Sequence, residues 1–171
     1  MFALIKLIQS LFGALHSEGT PGQLAAGIVL GSFLGLTPLL NLHNALFFAL
    51  LVLLNVSFAG GMLGWALFIP IGFLLDPLFD WIGHSLLLAP SLRGLWTSCY
   101  NTPIVPLTNF NNTVVLGSLV FAGLFAVPLF LATRLAVIRY RATIGERVRQ
   151  SRWYRAVMAS KVYNVYKMFR P

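Results

Sequence analysis

Two runs of 20 mostly apolar residues, at positions 56–75 and 114–133, constrain the fold of this chain more than any other feature. At about 1.5 Å of rise per residue, each run is long enough to cross a hydrocarbon core of about 30 Å as a helix. Only 9% of the residues are charged, which is too few to cover a soluble domain of this size. The sequence therefore predicts an all-α integral membrane protein with two full transmembrane helices.

The net charge of +8 lies almost entirely in the C-terminal part of the chain. Ten of the 12 basic residues follow position 133, directly after the second apolar run. Because basic residues beside a span stay on the cytoplasmic side, this end is predicted to face the cytoplasm. Two full spans and a hairpin that enters and leaves by the same face place the N-terminus in the cytoplasm as well. The charge pattern indicates an anionic membrane surface and not nucleic acid.

Both ends of the chain carry apolar residues at helical spacing. Residues 1–18 are predicted to form an amphipathic helix that lies in the membrane interface or packs on the rest of the protein. Residues 139–171 are predicted to form a basic amphipathic tail that binds anionic lipid or, alternatively, an acidic groove of a partner. Residues 19–138 are then the membrane-embedded domain. The cations assigned to the lipid surface are Arg139, Arg141, Arg147, Arg149, Arg152, Arg155, Lys161 and Lys167.

The segment before the first apolar run is predicted to be a helical hairpin. Thr20 and Pro21 are suited to be the N-cap and first residue of a helix that continues to Leu36. That helix is too short to cross a bilayer. Pro38 breaks it, and a second helix runs from Asn41 or Asn44 to Leu54, giving a re-entrant hairpin or, alternatively, two tilted spans. A stripe of small residues is expected to pack against another helix, and its members are Gly27, Gly31 and Gly35.

Residues 76–112 are mixed in composition and are predicted to form an interfacial or partly re-entrant stretch. Asp76 and Pro77 are expected to end the first span, with Asp76 capping a new helix. Asp80 is expected to pair with Arg93 or His84.

A repeated motif, Pro-Leu-x-Asn-x-x-Asn, begins at Pro38 and again at Pro106, each time just ahead of an apolar helix. One interpretation is that the Asn side chains cap the helix that follows. The other is that both tips form a neutral polar site for a lipid phosphate, because helix N-termini attract anions. The residues assigned to that lipid-binding site are Thr37, Asn41, His43, Asn44, Asn109, Asn111, Asn112 and Thr113.

Sequence motifs of enzymes and metal sites are missing from the chain. His43 is expected to be a hydrogen-bonding residue, with a proton carrier as the alternative. The single cysteine, Cys99, allows no intramolecular disulfide and no Cys-based metal site. No nucleophile motif, phosphate loop or His pair at metal spacing is found, so no catalytic residue, metal or cofactor is predicted.

Several short motifs over about residues 19–138 resemble a family of small bacterial inner-membrane proteins with a domain of unknown function. These motifs are Pro21-Gly22, Ala26-Gly27, Gly31 to Gly35, Thr37-Pro38, Leu54-Asn55 and Gly64-Trp65. A narrower Gram-negative subfamily is similar at Leu95-Trp96, Tyr100-Asn101-Thr102-Pro103 and Phe110-Asn111-Asn112-Thr113. The resemblance implies no assigned activity, and it implies a large envelope partner similar to the AsmA-like lipid-bridge class.

Three functions are compatible with these features. The first is a bacterial inner-membrane protein that binds or passes lipid, especially anionic phospholipid, as a small subunit beside a larger envelope protein. The second is a non-catalytic scaffold that anchors a partner through the glycine stripe. The third is a proton-coupled small-solute transporter that uses His43. The sequence leaves homo-oligomerisation open.

Overall fold

The computed structural model of the protein describes residues 19–38 and 41–143, and every regular element in these ranges is helical. The α-helices are α1 (Pro21–Leu36), α2 (Leu42–Leu53), α3 (Phe58–Leu88), α4 (Arg93–Asn101) and α5 (Thr113–Thr143). Two short 3-10 helices, Pro90–Leu92 and Val105–Thr108, flank α4. The all-α prediction is confirmed for this part of the chain.

The first helix begins where its sequence predicts. The Thr20 hydroxyl accepts from the Gln23 backbone N–H at 3.1 Å, and the Gln23 side chain accepts from the Thr20 N–H at 2.8 Å. This capping box satisfies two polar groups that a helix start otherwise leaves open. Pro21 follows as the first helical residue.

Helices α1 and α2 form a hairpin whose two ends meet. The Gln23 side-chain amide donates to the Asn55 side-chain oxygen at 2.8 Å, and the Ser57 N–H donates to the Gln23 carbonyl at 3.0 Å. The start of α1 is therefore bonded to the chain just after α2. The 16 residues of α1 and the 12 of α2 correspond to about 24 Å and 18 Å, less than a bilayer core of about 30 Å.

The glycine stripe of α1 packs against α3, as predicted. A Cβ at Gly27 or Gly31 would clash with the carbonyl oxygen of Ser57 or Gly61, respectively. A Cβ at Gly35 would lie 2.7 Å from the Trp65 carbonyl oxygen. Each step of four residues along α1, from Gly27 to Gly35, moves the contact by four residues along α3, from Ser57 to Trp65. Helices α1 and α3 are therefore parallel, and their backbones are close.

Helices α3 and α5 are antiparallel. Phe79 of α3 is fully buried beside Phe121 of α5, with ring centroids 5.2 Å apart. Toward the other end, Leu63 of α3 packs with Val137 of α5 and Leu24 of α1. The basic end of α5 therefore lies beside the start of α3 and the base of the hairpin, where an Arg141 guanidinium N–H donates to the Gly19 carbonyl at 2.9 Å.

The expected end of the first span at Asp76 and Pro77 is wrong. Helix α3 continues through Pro70 and Pro77 to Leu88, so Asp76 caps no new helix. Tertiary packing stabilises the second half of α3, because the Phe79 and Thr113 carbonyls approach Gly117 and Gly83 too closely for a Cβ. Helix α5 likewise passes through Pro128 and extends beyond the predicted run at both ends.

The two 31-residue helices have the length and composition of membrane spans, and only 28% of the most apolar window of each is buried. Large apolar side chains such as Leu74 and Leu124 are 79% and 73% exposed. A core helix of a soluble protein would bury most of these residues. This apolar outer surface supports the predicted membrane protein.

Candidate functional site

The two copies of the repeated motif meet in the fold. The Asn109 side-chain amide donates to the Asn41 side-chain oxygen at 2.5 Å, although the two residues are 68 positions apart. Asn41 precedes α2 at the tip of the hairpin, and Asn109 lies in the loop that leads to α5. The structure therefore brings together two tips that the sequence only suggested were equivalent.

Thr37 and Asn44 close the hairpin tip through one buried hydrogen-bond chain. The Thr37 hydroxyl lies 2.6 Å from the Asn44 side-chain oxygen, and the Asn44 amide donates to the Pro38 carbonyl at 2.7 Å. The Thr37 hydroxyl also lies 2.7 Å from the Phe33 carbonyl oxygen, so its single proton is shared between two acceptors. Both side chains are at least 95% buried.

The capping interpretation is wrong for Asn41. Its position is the N-cap of α2, but its side chain makes no capping bond. The Asn41 amide instead donates to the Pro38 carbonyl at 2.7 Å, while its oxygen accepts from Asn109. The side chain therefore links two loops and does not cap α2.

The three asparagines of the second tip have different structural roles. Asn112 is a true cap, because its side-chain oxygen accepts from the Val115 N–H at 3.1 Å. Asn109 adopts a left-handed backbone with φ of 55°, which asparagine tolerates better than most residues. Asn111 is exposed and makes no hydrogen bond to the described residues.

Asp80 of α3 bonds to the residue that follows the second tip. The sequence predicted Arg93 or His84 as its partner. The Thr113 hydroxyl, at the start of α5, donates to the Asp80 carboxylate. Asp80 thus contacts Thr113 and not Arg93 or His84. The pairing depends on the continuation of α3 past Pro77, which the sequence analysis did not anticipate. The signal was an acidic residue near the end of an otherwise apolar segment.

His43, at the hairpin tip, is a buried polar residue whose ring nitrogens have no hydrogen-bond partner among the described residues. Its side chain is 92% buried. The ring packs edge-on to Phe47, with ring centroids 6.2 Å apart, and lies near the Thr108 backbone. The expected hydrogen bond of His43 is therefore not found within the described part of the chain. Burying such a group without a partner costs about 1–3 kcal/mol.

The junction of the two tips has the chemistry of an acceptor-binding site. Each of the Asn41, Asn44 and Asn109 amides has two N–H groups, of which one is used in the bonds above. The imidazole of His43 adds a further donor. Among the described residues no cluster of metal-ligating side chains is present. Amide and imidazole donors of this kind suit an oxyanion or a polar head group.

Only part of the predicted anionic-membrane surface lies in the described chain. Arg139 is exposed on α5, and Arg141 holds the Gly19 carbonyl. The predicted helix over residues 1–18 lies outside the described residues. So do the remaining cations of the tail, namely Arg147, Arg149, Arg152, Arg155, Lys161 and Lys167.

The fold and the junction define a small helical membrane protein with two long apolar helices, a short-helix hairpin and a polar contact between loops. No family model and no solved structure matches the chain. Over 148 residues it is 30% identical to an uncharacterized protein of Treponema pallidum (strain Nichols), covering 85% of this chain and 90% of that protein. The chain belongs to the same family as that protein.

Proposed function

We propose that this chain is a bacterial inner-membrane protein that binds a phospholipid head group where its two tips meet. We further propose that it acts as a small subunit in envelope lipid transport beside a larger partner. The observation that supports binding is the Asn41–Asn109 contact next to a buried His43 whose nitrogens have no partner in the described chain. No enzymatic step is part of this proposal.

A lipid phosphate suits the groups at the junction. It offers acceptor oxygens to the second N–H of each asparagine amide and to the imidazole. Hydrogen bonds to an ionised acceptor are stronger than neutral ones and offset the burial of the donors. Such a head group would give His43 the partner that the described residues do not supply.

The proposed topology makes α1 and α2 a re-entrant hairpin that enters from the cytoplasmic face. Its base lies at the basic end of α5, through Gly19 and Arg141. Its tip lies beside Gly72, where an added Cβ would be 2.8 Å from the Gly35 carbonyl oxygen. Gly72 follows Phe58 by 14 residues, or about 21 Å along α3. The tip is then in the outer half of the bilayer.

The larger partner is proposed from the resemblance to proteins that accompany AsmA-like envelope proteins. A scaffold that used the glycine stripe is less well supported, because α3 of the same chain already covers that stripe. A scaffold would need a different surface. The proton-coupled transporter keeps only His43 as its ionisable candidate.

Purification in a mild detergent, followed by mass spectrometry of the retained lipids and proteins, tests the proposal. We expect a defined phospholipid to be retained with the wild-type chain and reduced in a double Asn41→Ser, His43→Phe variant. The control is Asn111→Ser, which lies in the loop that carries Asn109 and makes no hydrogen bond to the described residues. A partner protein without any enriched lipid would favour the scaffold instead.

A further inference from the structure

An apolar groove lies between α1, α3 and α5 at the basic end of the bundle, away from the two tips. Its volume is about 400 Å³, within the range of small-molecule pockets. Leu24 and Ile28 of α1, Leu63 and Leu67 of α3, and α5 residues between positions 129 and 140 line it. The groove therefore extends along about 16 Å of α5.

The chemistry of the groove selects a hydrocarbon chain. Among the described residues that line the groove, only Thr133 and Tyr140 carry a polar side-chain atom. Its floor is formed by Leu24, Leu63 and Val137, each at most 2% exposed. A polar solute would lose its hydrogen bonds here, whereas a narrow and elongated alkyl chain would lose none.

The charges at the basic end of α5 favour a ligand with an anionic head group. The groove ends at Tyr140, next to Arg141, with Arg139 and Arg134 on the same stretch of α5. Each basic residue near an anionic lipid surface favours binding about fivefold before screening. Both acids of the described residues, Asp76 and Asp80, lie away from this end, in the second half of α3 beside the start of α5. The other two acids of the sequence, Glu18 and Glu146, adjoin this end along the chain and lie outside the described residues.

We propose that this groove binds one acyl chain of an anionic glycerophospholipid, with the phosphate at the basic end of α5. The inference does not rest on the head-group site proposed above, because the two sites are at opposite ends of α5. Surrounding lipid is as apolar as the groove, so hydrophobicity alone gives no preference. Selectivity comes from packing in the groove and from the cations at its end.

Photo-crosslinking of the full chain tests the position of the ligand. The probe is a phosphatidylglycerol with a diazirine in one acyl chain, supplied in vesicles of phosphatidylglycerol and phosphatidylethanolamine. We expect adducts to concentrate on residues 63–68 and 129–140. Adducts distributed over exposed α2 and α5 residues without enrichment in these two segments would overturn the proposal.

Two substitutions test whether the groove itself is required. Ala136→Phe and Leu67→Trp should fill it and abolish the enriched adducts in both segments. Ala142→Phe makes the same change at an exposed position of α5 outside the groove, and should leave the adducts unchanged. The proposal is overturned if both filling variants keep a wild-type helical circular dichroism spectrum and the wild-type adduct pattern. If neither variant folds, the adduct pattern of the wild-type chain decides. Enrichment on residues 63–68 and 129–140 then supports the groove, and a pattern without that enrichment overturns it.

The charges are tested by competition between lipid classes. Arg134→Gln and Arg139→Gln should each lower the preference for phosphatidylglycerol over phosphatidylethanolamine by up to about fivefold before screening. Arg93→Gln, on α4 at the other end of the bundle, is the control and should not change it. The preference is measured only from the adducts on residues 63–68 and 129–140, so lipid bound at the two tips does not contribute to it. Failure of the groove and failure of the head-group site are therefore distinguishable.

Discussion

At the residue scale, one amino-acid type serves different purposes in two copies of the same motif. Asn112 caps α5, Asn44 closes the hairpin tip, and Asn41 and Asn109 bond to each other. The sequence singled out both tips, but it could not separate the asparagine that caps a helix from those that link two loops. That division depends on which loops lie next to each other, which is a tertiary property.

The two asparagines of the second tip should respond differently to substitution. Asn112→Ser keeps a short acceptor for the Val115 N–H and should change the stability by only a few tenths of a kcal/mol. Asn109→Gly keeps the left-handed backbone but removes the amide, so the chain should fold and retain less phospholipid. Thermal unfolding and lipid analysis of the same preparations measure both effects. Equal lipid retention in both variants would contradict the distinction.

His43 should be dispensable for folding but not for binding. In His43→Phe a ring of similar shape replaces a buried group that has no partner in the described chain, so the stability of lipid-free protein should be unchanged or higher by about 1 kcal/mol. Lipid retention should fall at the same time. A variant that loses stability while retaining its lipid would show that the imidazole is a structural group.

At the scale of elements, the sequence predicted the hairpin, the packed glycine stripe and the existence of both long helices. Their ends were less well predicted. Pro77 normally ends a helix, yet α3 continues because Phe79 and Gly83 are held against α5. Membrane proteins tolerate proline within helices when neighbouring helices compensate. Local sequence carries no information about that compensation.

The α1–α3 contact should tolerate no added methyl group. Gly31→Ala places a Cβ against the Gly61 carbonyl, so the helices must separate, at a cost of about 1–3 kcal/mol. Gly123→Ala makes the same change on α5, where no atom lies within 4 Å, and should not destabilise the protein. Denaturation in detergent compares the two variants. A neutral Gly31→Ala would contradict the close packing.

At the scale of the whole molecule, the antiparallel α3 and α5 separate most of the described charges. Arg134, Arg139 and Arg141 lie toward one end, and Asp76, Asp80 and Arg93 lie toward the other. Arg141 and the hairpin base share one end, and Asp80 and Thr113 share the other. The sequence predicted the basic end from the positive-inside rule. The number of segments predicted that the hairpin starts at the same end, and the Arg141–Gly19 contact places the hairpin base beside the basic end of α5.

The native cysteine offers a direct test of this orientation. Cys99 lies on α4, between the end of α3 and the start of α5. In intact spheroplasts, a membrane-impermeant maleimide should label it from outside. A Cys99→Ser, Thr143→Cys variant should react only after permeabilisation. The reverse pattern would place the basic end of α5 outside and would contradict the proposed topology.

The central claim is that a lipid phosphate lies beside His43, and magnetic resonance can measure that distance. The protein, labelled with 15N-histidine and reconstituted in phospholipid, contains three histidines, and His43→Gln assigns the signal of interest. We predict that 31P dephases the His43 ring-nitrogen signal in a wild-type sample and that this effect weakens in Asn109→Gly. A His43 signal that 31P leaves unchanged would contradict a head group at the junction of the two tips.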